Sequence, residues 1–286
     1  MSENSEADTI EWQMKRSIQQ RRIFLTGHRG YLGQCLAHLI QESPHLNLLT
    51  SETRLEDLPA RSIHCEGVIH VATRREEEAD TAALNGLLNA LAAPGPFLFT
   101  SSVKVYGNHQ HQATEQTLPE PDSPYGQSKY QLERRLQKTD HTLSILRLGS
   151  LWGYGVTRYG KTFLDQALHN IAQQQALHIL SPPVYRNHLF VWDAARWIHH
   201  MVQENLTIPV LNLAGDVQNF QEQIEDLCRH APTGYQATLH YPESPSAQPS
   251  LLMSTALWEQ LRPHPLTPWP ELVKYAFESG IFANEN

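Results

Sequence analysis

Ile23-Phe24-Leu25-Thr26-Gly27-His28-Arg29-Gly30-Tyr31-Leu32-Gly33-Gln34-Cys35-Leu36-Ala37-His38-Leu39-Ile40 is the stretch that decides the fold. It opens on a short apolar run of strand length and passes at once into three glycines spaced G-x-x-G-x-x-G. Leu32, Leu36, Leu39 and Ile40 then share one face of a helix, which Pro44 stops. A glycine turn set directly between a strand and a helix is the context a dinucleotide fingerprint requires. Gly27 permits the tight turn, Gly30 lets backbone approach a pyrophosphate, and Gly33 lets helix pack on strand. The free N–H groups where the helix opens, at Tyr31 and Leu32, would meet the phosphates. The plain alternative is a glycine-rich turn with no ligand.

Outward from this stretch, Leu46–Thr50, Gly67–Ala72, Phe97–Thr100 and Leu143–Leu148 read as further buried strands with helical stretches between them. Such alternation implies parallel β-α-β units. The expected fold is α/β, a doubly wound parallel sheet of Rossmann-like type with a smaller C-terminal substrate lobe. Residues 1–20 read as a polar leader with one helical turn around Trp12. Residues 21–150 with about 188–214 form the nucleotide-binding core, and 151–187 with 215–286 form the lobe. Within the lobe, a helix is expected from Thr162 to Gln174 and a loop-rich stretch from Pro232 to Ser250.

Composition narrows the function. A net charge of −8 argues against non-specific nucleic-acid binding, so any phosphate site must be built from a few local arginines. Three scattered cysteines fit reduced thiols, not a disulfide framework or zinc site. No apolar run approaches the roughly 20 residues of a membrane span, and the first 20 residues lack the apolar core of a secretory signal. A soluble cytoplasmic protein is expected. Sixteen histidines invite a metal reading, but His109-x-His111 and His199-His200 have no convergent acids or cysteines, so no metal is expected.

The chemistry is read from three positions. Thr100-Ser101-Ser102 ends the fourth strand at the edge where ligands sit. Tyr125 follows Pro124 at a helix start, and Lys129 lies four residues on, on the same face. A neighbouring ammonium favours phenolate and makes tyrosine a better base. Tyr125 can then exchange a proton with a substrate hydroxyl or carbonyl while a nicotinamide exchanges a hydride, and Ser102 steadies the same oxygen. For the cofactor, Ser51 stands where an NAD site wants an acid, and Arg29 and Arg54 supply positive charge. This leans towards NADP, with Glu52 as the acid of the NAD alternative. Asp57-Leu58 reads either as adenine-side wall or as a polar turn, and Arg74 and Arg75 as phosphate contacts or surface.

The ordered set Gly27-x-x-Gly30-x-x-Gly33, His70-Val71-Ala72, Ser101-Ser102-x-x-Val105-Tyr106-Gly107 and Pro124-Tyr125-Gly126-Gln127-Ser128-Lys129 resembles the extended short-chain dehydrogenase/reductases. Within them it is most similar to the NAD-dependent epimerase/dehydratase group. Leu146–Gly153 and Arg186–Asp193 extend the similarity to about residues 22–280. The resemblance implies Ser102, Tyr125 and Lys129 as catalytic, with Tyr125 and Lys129 also touching the cofactor beside Val71 and Ala72. Ser102, Tyr125, Ser150 and Arg186 would meet a substrate that is probably a nucleotide sugar, Arg186 at its phosphate. A homodimer is implied by the same analogy.

Departures matter as much. Val103-Lys104 stand where the group's dehydratases carry Asp-Glu, so loss of water is not implied. Ser150 replaces an asparagine and Asn187 an aspartate, which alters the expected diphosphate recognition. Gly27-His28-Arg29-Gly30 is similar to the first turn of GDP-sugar reductases that use NADP. The expected function is therefore an NAD(P)-dependent oxidoreductase or epimerase. The alternatives are a catalytically silent NAD(P)-binding regulator and a reductase of a small non-nucleotide carbonyl.

Overall fold

The structure, a computed structural model, describes residues 20–73, 77–107, 112–153, 156, 162–179, 184–215, 217–231, 233, 237–241 and 252–278. The expected leader, Arg74 and Arg75, His109 and His111, and most of the stretch 232–250 lie outside those residues. In chain order the first strands are Arg21–Thr26 (β1), Leu46–Leu49 (β2), Gly67–His70 (β3), Pro96–Ser102 (β4), Thr142–Leu148 (β5) and Ser150–Trp152 (β6). Leu177–His178 (β7), Tyr185–Phe190 (β8), Val210–Leu213 (β9), Val217–Asn219 (β10) and Leu239–His240 (β11) follow. Among the described residues the helices are Tyr31–Gln41 (α1), Glu77–Ala90 (α2), Pro124–Leu136 (α3), Phe163–Ala172 (α4), Val191–Gln203 (α5), Phe220–His230 (α6), Ala256–Leu261 (α7) and Trp269–Glu278 (α8).

Six strands pair in parallel in the order β2-β1-β3-β4-β5-β9. The order reverses between β1 and β3, and in such sheets the crevice at the carboxyl ends of the strands flanking that switch receives ligands. Alternation along β1 divides the core in two. Ile23 and Leu25 pack with Leu32, Leu36 and Ile40 of α1 and with Ala194, Ala195 and Ile198 of α5. Phe24 faces the other way, with Phe97, Phe99, Leu84 and Leu87 of α2, and Leu132 and Leu136 of α3. Leu36 is wholly buried, and truncating such a leucine to alanine costs about 2–5 kcal/mol.

The second part is built differently. A three-stranded sheet runs β10-β8-β6, and β7 pairs with β11. Its hold on the core rests on two buried amides. Asn187 donates to Gly215 O (3.0 Å) and accepts from Met253 N (3.0 Å). Asn212, on the edge strand β9, donates to Ala113 O (3.3 Å) and Ser254 O (3.2 Å), and accepts from Tyr106 Oη (2.6 Å). Asn187 is thus engaged in bracing backbone. No helix among the described residues is long and apolar enough to cross a membrane.

Candidate active site

The glycine turn is dictated by contact distances. Gly27 takes φ +73°, and a Cβ there would stand 2.8 Å from Ala72 N. A Cβ on Gly33 would fall 2.0 Å from Gly27 O. Gly30 N donates to Gly27 O (2.8 Å), and Gly30 caps α1 without a side-chain oxygen. The first N–H groups of that helix therefore carry no side-chain acceptor, the arrangement that suits a phosphate.

Two openings meet at the turn. The smaller is lined by Gly27, His28, Arg29, Ser51, Thr53, Arg54, Leu55, Ala72 and Thr73. Ser51 Oγ folds onto Thr53, accepting from its N (3.1 Å). Arg29 forms an exposed ion pair with Glu52, and His28 Nε2 lies 3.4 Å from the same carboxylate. Glu52 is thereby held by Arg29, a pairing the sequence reading did not foresee. Asp57 and Leu58 do not line this pocket. The chain tightens into a short 3-10 turn at Leu55–Asp57, which leaves Asp57 exposed and packs Leu58 against the apolar cluster of Phe24 and Leu84. Leu55 and Arg54 take the wall instead.

The larger cleft, about 790 Å³, runs from Gly30, Tyr31, Leu32 and Gly33 past Val71 and Ala72 to Ser102, Tyr125, Lys129, Ser150 and Arg186. Ser102 ends β4, its buried Oγ accepting from Lys104 N (3.2 Å). Ser123 caps α3, accepting from Gly126 N (3.2 Å), and Pro124 opens the first turn. That start puts half-buried Tyr125 at the mouth and Lys129 one turn deeper.

Lys129 is buried at 2% exposure. Its Nζ donates to Thr100 O (2.9 Å) and lies 4.9 Å from the centroid of the Phe99 ring. Burial lowers its pKa from 10.5 to about 8, against the pull of Asp80 and Glu133. Beneath it, His70 pairs with Thr26 Oγ1 (2.7 Å) and stacks on Phe99. Burial first, and Lys129 second, push the His70 pKa down to about 3, so this imidazole is neutral. One turn beyond Lys129, Glu133 forms a fully buried bidentate pair with Arg147 (2.8 and 3.2 Å), whose guanidinium lies over the Tyr106 ring.

The far end of the cleft holds Lys104, Ser150, Thr162 and Arg186. Arg186 Nη1 donates to Tyr185 O (2.9 Å), and burial lowers its pKa. Thr73, Thr162 and the Glu133–Arg147 pair were not singled out from sequence; a glutamate four residues after Lys129 was the available signal. Of the histidines considered for metal, His199 pairs with Ser43 Oγ (2.6 Å).

A model of the NAD dependent epimerase/dehydratase family matches residues 23–214. The chain belongs to that family. As a family member it shares its fold with solved structures along nearly its whole length. The RMD of Pseudomonas aeruginosa complexed with NADPH superposes with a TM-score of 0.75 at 21% identity, over 92% of this chain and 99% of that one. The UDP-glucuronic acid 4-epimerase of Bacillus cereus, solved with NAD and a fluorinated UDP-glucuronic acid, gives 0.72 at 16%, over 93% and 100%. At these identities the likeness is one of fold. Methionine adenosyltransferase 2 subunit beta of Rattus norvegicus and of Mus musculus is 26% identical over 163 residues, 48% of this chain and 49% of theirs. The match thus spans about half the length of those curated relatives.

Proposed function

We propose that this family member is an NAD(P)-dependent oxidoreductase acting on a carbonyl or secondary alcohol of a nucleotide sugar, by net reduction or by epimerisation. The observation that carries the reading is that Ser102, Tyr125 and Lys129, from β4 and α3, line the one cleft into which the glycine turn opens. The uncapped start of α1 and the close-packed Gly27 and Gly33 fit a dinucleotide's diphosphate, and the smaller pocket fits its adenosine end. Arg29 and Arg54 line that pocket and Ser51 puts no carboxylate there, which favours the 2′-phosphate of NADP.

A bound nicotinamide supplies the hydride donor or acceptor. The chain's own part is the proton. Tyr125 Oη gives it to, or takes it from, the substrate oxygen, and Ser102 hydrogen-bonds that oxygen as its charge changes. Lys129, a buried cation one turn from Tyr125, favours the phenolate and makes the exchange easier near neutral pH. Arg186 receives substrate phosphate at the far end.

Titration with NADPH and NADH by fluorescence, followed by product analysis with UDP- and GDP-linked sugars, tests this. Tighter binding of NADPH and conversion of one sugar are expected; an epimerase turns over without consuming added cofactor. Failure of both nucleotides to bind overturns the reading. The similarity to a protein named as a transferase subunit favours a second reading, an NAD(P)-binding regulator without turnover. In that case a Tyr125→Phe protein keeps its biological effect.

A further inference from the structure

This inference rests on the nucleotide-sugar reading and sharpens its substrate class. Although the chain carries a net charge of −8, the substrate end of its cleft is cationic, with Lys104 and Arg186 both on the wall. Lys104 is held in register with the reacting centre. It sits on the 3-10 turn Val103–Tyr106, immediately after Ser102, and its backbone N–H is tied to Ser102 Oγ (3.2 Å). Its side chain is half-buried, yet its ammonium makes no hydrogen bond or ion pair among the described residues. Burial lowers its proton affinity and Arg186 lowers it further, while Asp122, the acid that acts on it, is exposed. Two cations that repel across a half-buried cleft are unfavourable until an anion lies against them.

Arg186 alone suffices for a phosphate at the far end. Lys104, two residues from Ser102, lies too near the reacting carbon to serve the same group. We propose that Lys104 binds a carboxylate carried on the sugar ring itself, so that the substrate is a nucleotide-linked uronate and not a neutral hexose. An ammonium–carboxylate contact in such a site is worth about tenfold or more in affinity.

The test uses the full chain with NADPH bound, and UDP-glucuronate and UDP-glucose as probes in calorimetric titrations. The wild type binds UDP-glucuronate about tenfold tighter than UDP-glucose or better. Lys104→Met reduces that preference to within about threefold by losing affinity for the uronate alone, and Lys104→Arg restores most of it. NADPH affinity, measured alongside, is the same in all three proteins. Equal binding of the two probes by the wild type overturns the proposal and leaves the nucleotide-sugar reading standing. So does a Lys104→Met variant weakened equally for both, since that marks a residue that merely shapes the turn. If NADPH binds and neither sugar nucleotide does, the nucleotide-sugar reading fails and this proposal with it.

Discussion

Replacing Lys129 with methionine should make the protein more stable while it abolishes turnover. Lys129 is 2% exposed, and burial lowers its pKa from 10.5 to about 8. Each tenfold change in proton affinity is worth about 1.4 kcal/mol, so holding the charge in the fold at pH 7 costs about 3 kcal/mol. Methionine fills a similar volume without that charge; losing the hydrogen bond to Thr100 O trims the gain to about 2 kcal/mol. The sign with pH follows. The folded pKa is the lower one, so the unfolded chain binds more protons between about pH 8 and 10.5, and wild-type stability rises through that window. Below it the cost is present in full; above it the cost is gone. The advantage of Lys129→Met therefore shrinks by about 2 kcal/mol between pH 7 and pH 9.5. Urea unfolding followed by tryptophan fluorescence at both pH values measures it. An advantage identical at both, or a variant less stable than wild type at pH 7, refutes the reasoning.

Tyr125→Phe should lower turnover by at least about 100-fold while NADPH affinity stays within about threefold, read from steady-state rates and cofactor titration. Gly33→Ala forces a Cβ to within 2.0 Å of Gly27 O; NADPH binding, followed by fluorescence, should weaken by about tenfold or more and the melting temperature should fall. Ser51→Asp sets a carboxylate in the smaller pocket and should cut the ratio of NADPH to NADH affinity by about tenfold, whereas an unchanged ratio would place the 2′-phosphate elsewhere. Glu133→Gln leaves Arg147 buried without its counter-charge and should cost about 3 kcal/mol, most of it regained in Glu133→Leu/Arg147→Met; chemical denaturation of the three proteins decides.

What was legible in the sequence was what local backbone geometry dictates. The turn at Gly27, Gly30 and Gly33 tolerates no side chain at its closest approaches, so the residues announce the shape. The Rossmann-like parallel sheet follows from apolar runs whose period and length leave little choice. Ser102, Tyr125 and Lys129 are visible because a strand end and one helical turn fix their spacing. What was not legible depends on segments distant in sequence. Asp57 and Leu58 look like a pocket wall until the 3-10 turn at Leu55–Asp57 packs against α2 and presents Leu55 instead. The Arg29–Glu52 ion pair joins two surface loops that periodicity says nothing about. Asn187 reads as an altered binding residue because no sequence pattern shows that its amide is committed to Gly215 and Met253.

Asn212 gives the molecule an order of assembly. Its one side chain answers to Tyr106, Ala113 and Ser254, so the outer margin of the main sheet is closed by residues translated long after the strands themselves. On the ribosome the nucleotide-binding half emerges first, yet that margin keeps an unmet polar group until the final stretch of the message has been read. A stop codon ahead of residue 252 would therefore do more than trim the tail: it would leave the earlier half with a permanently open seam.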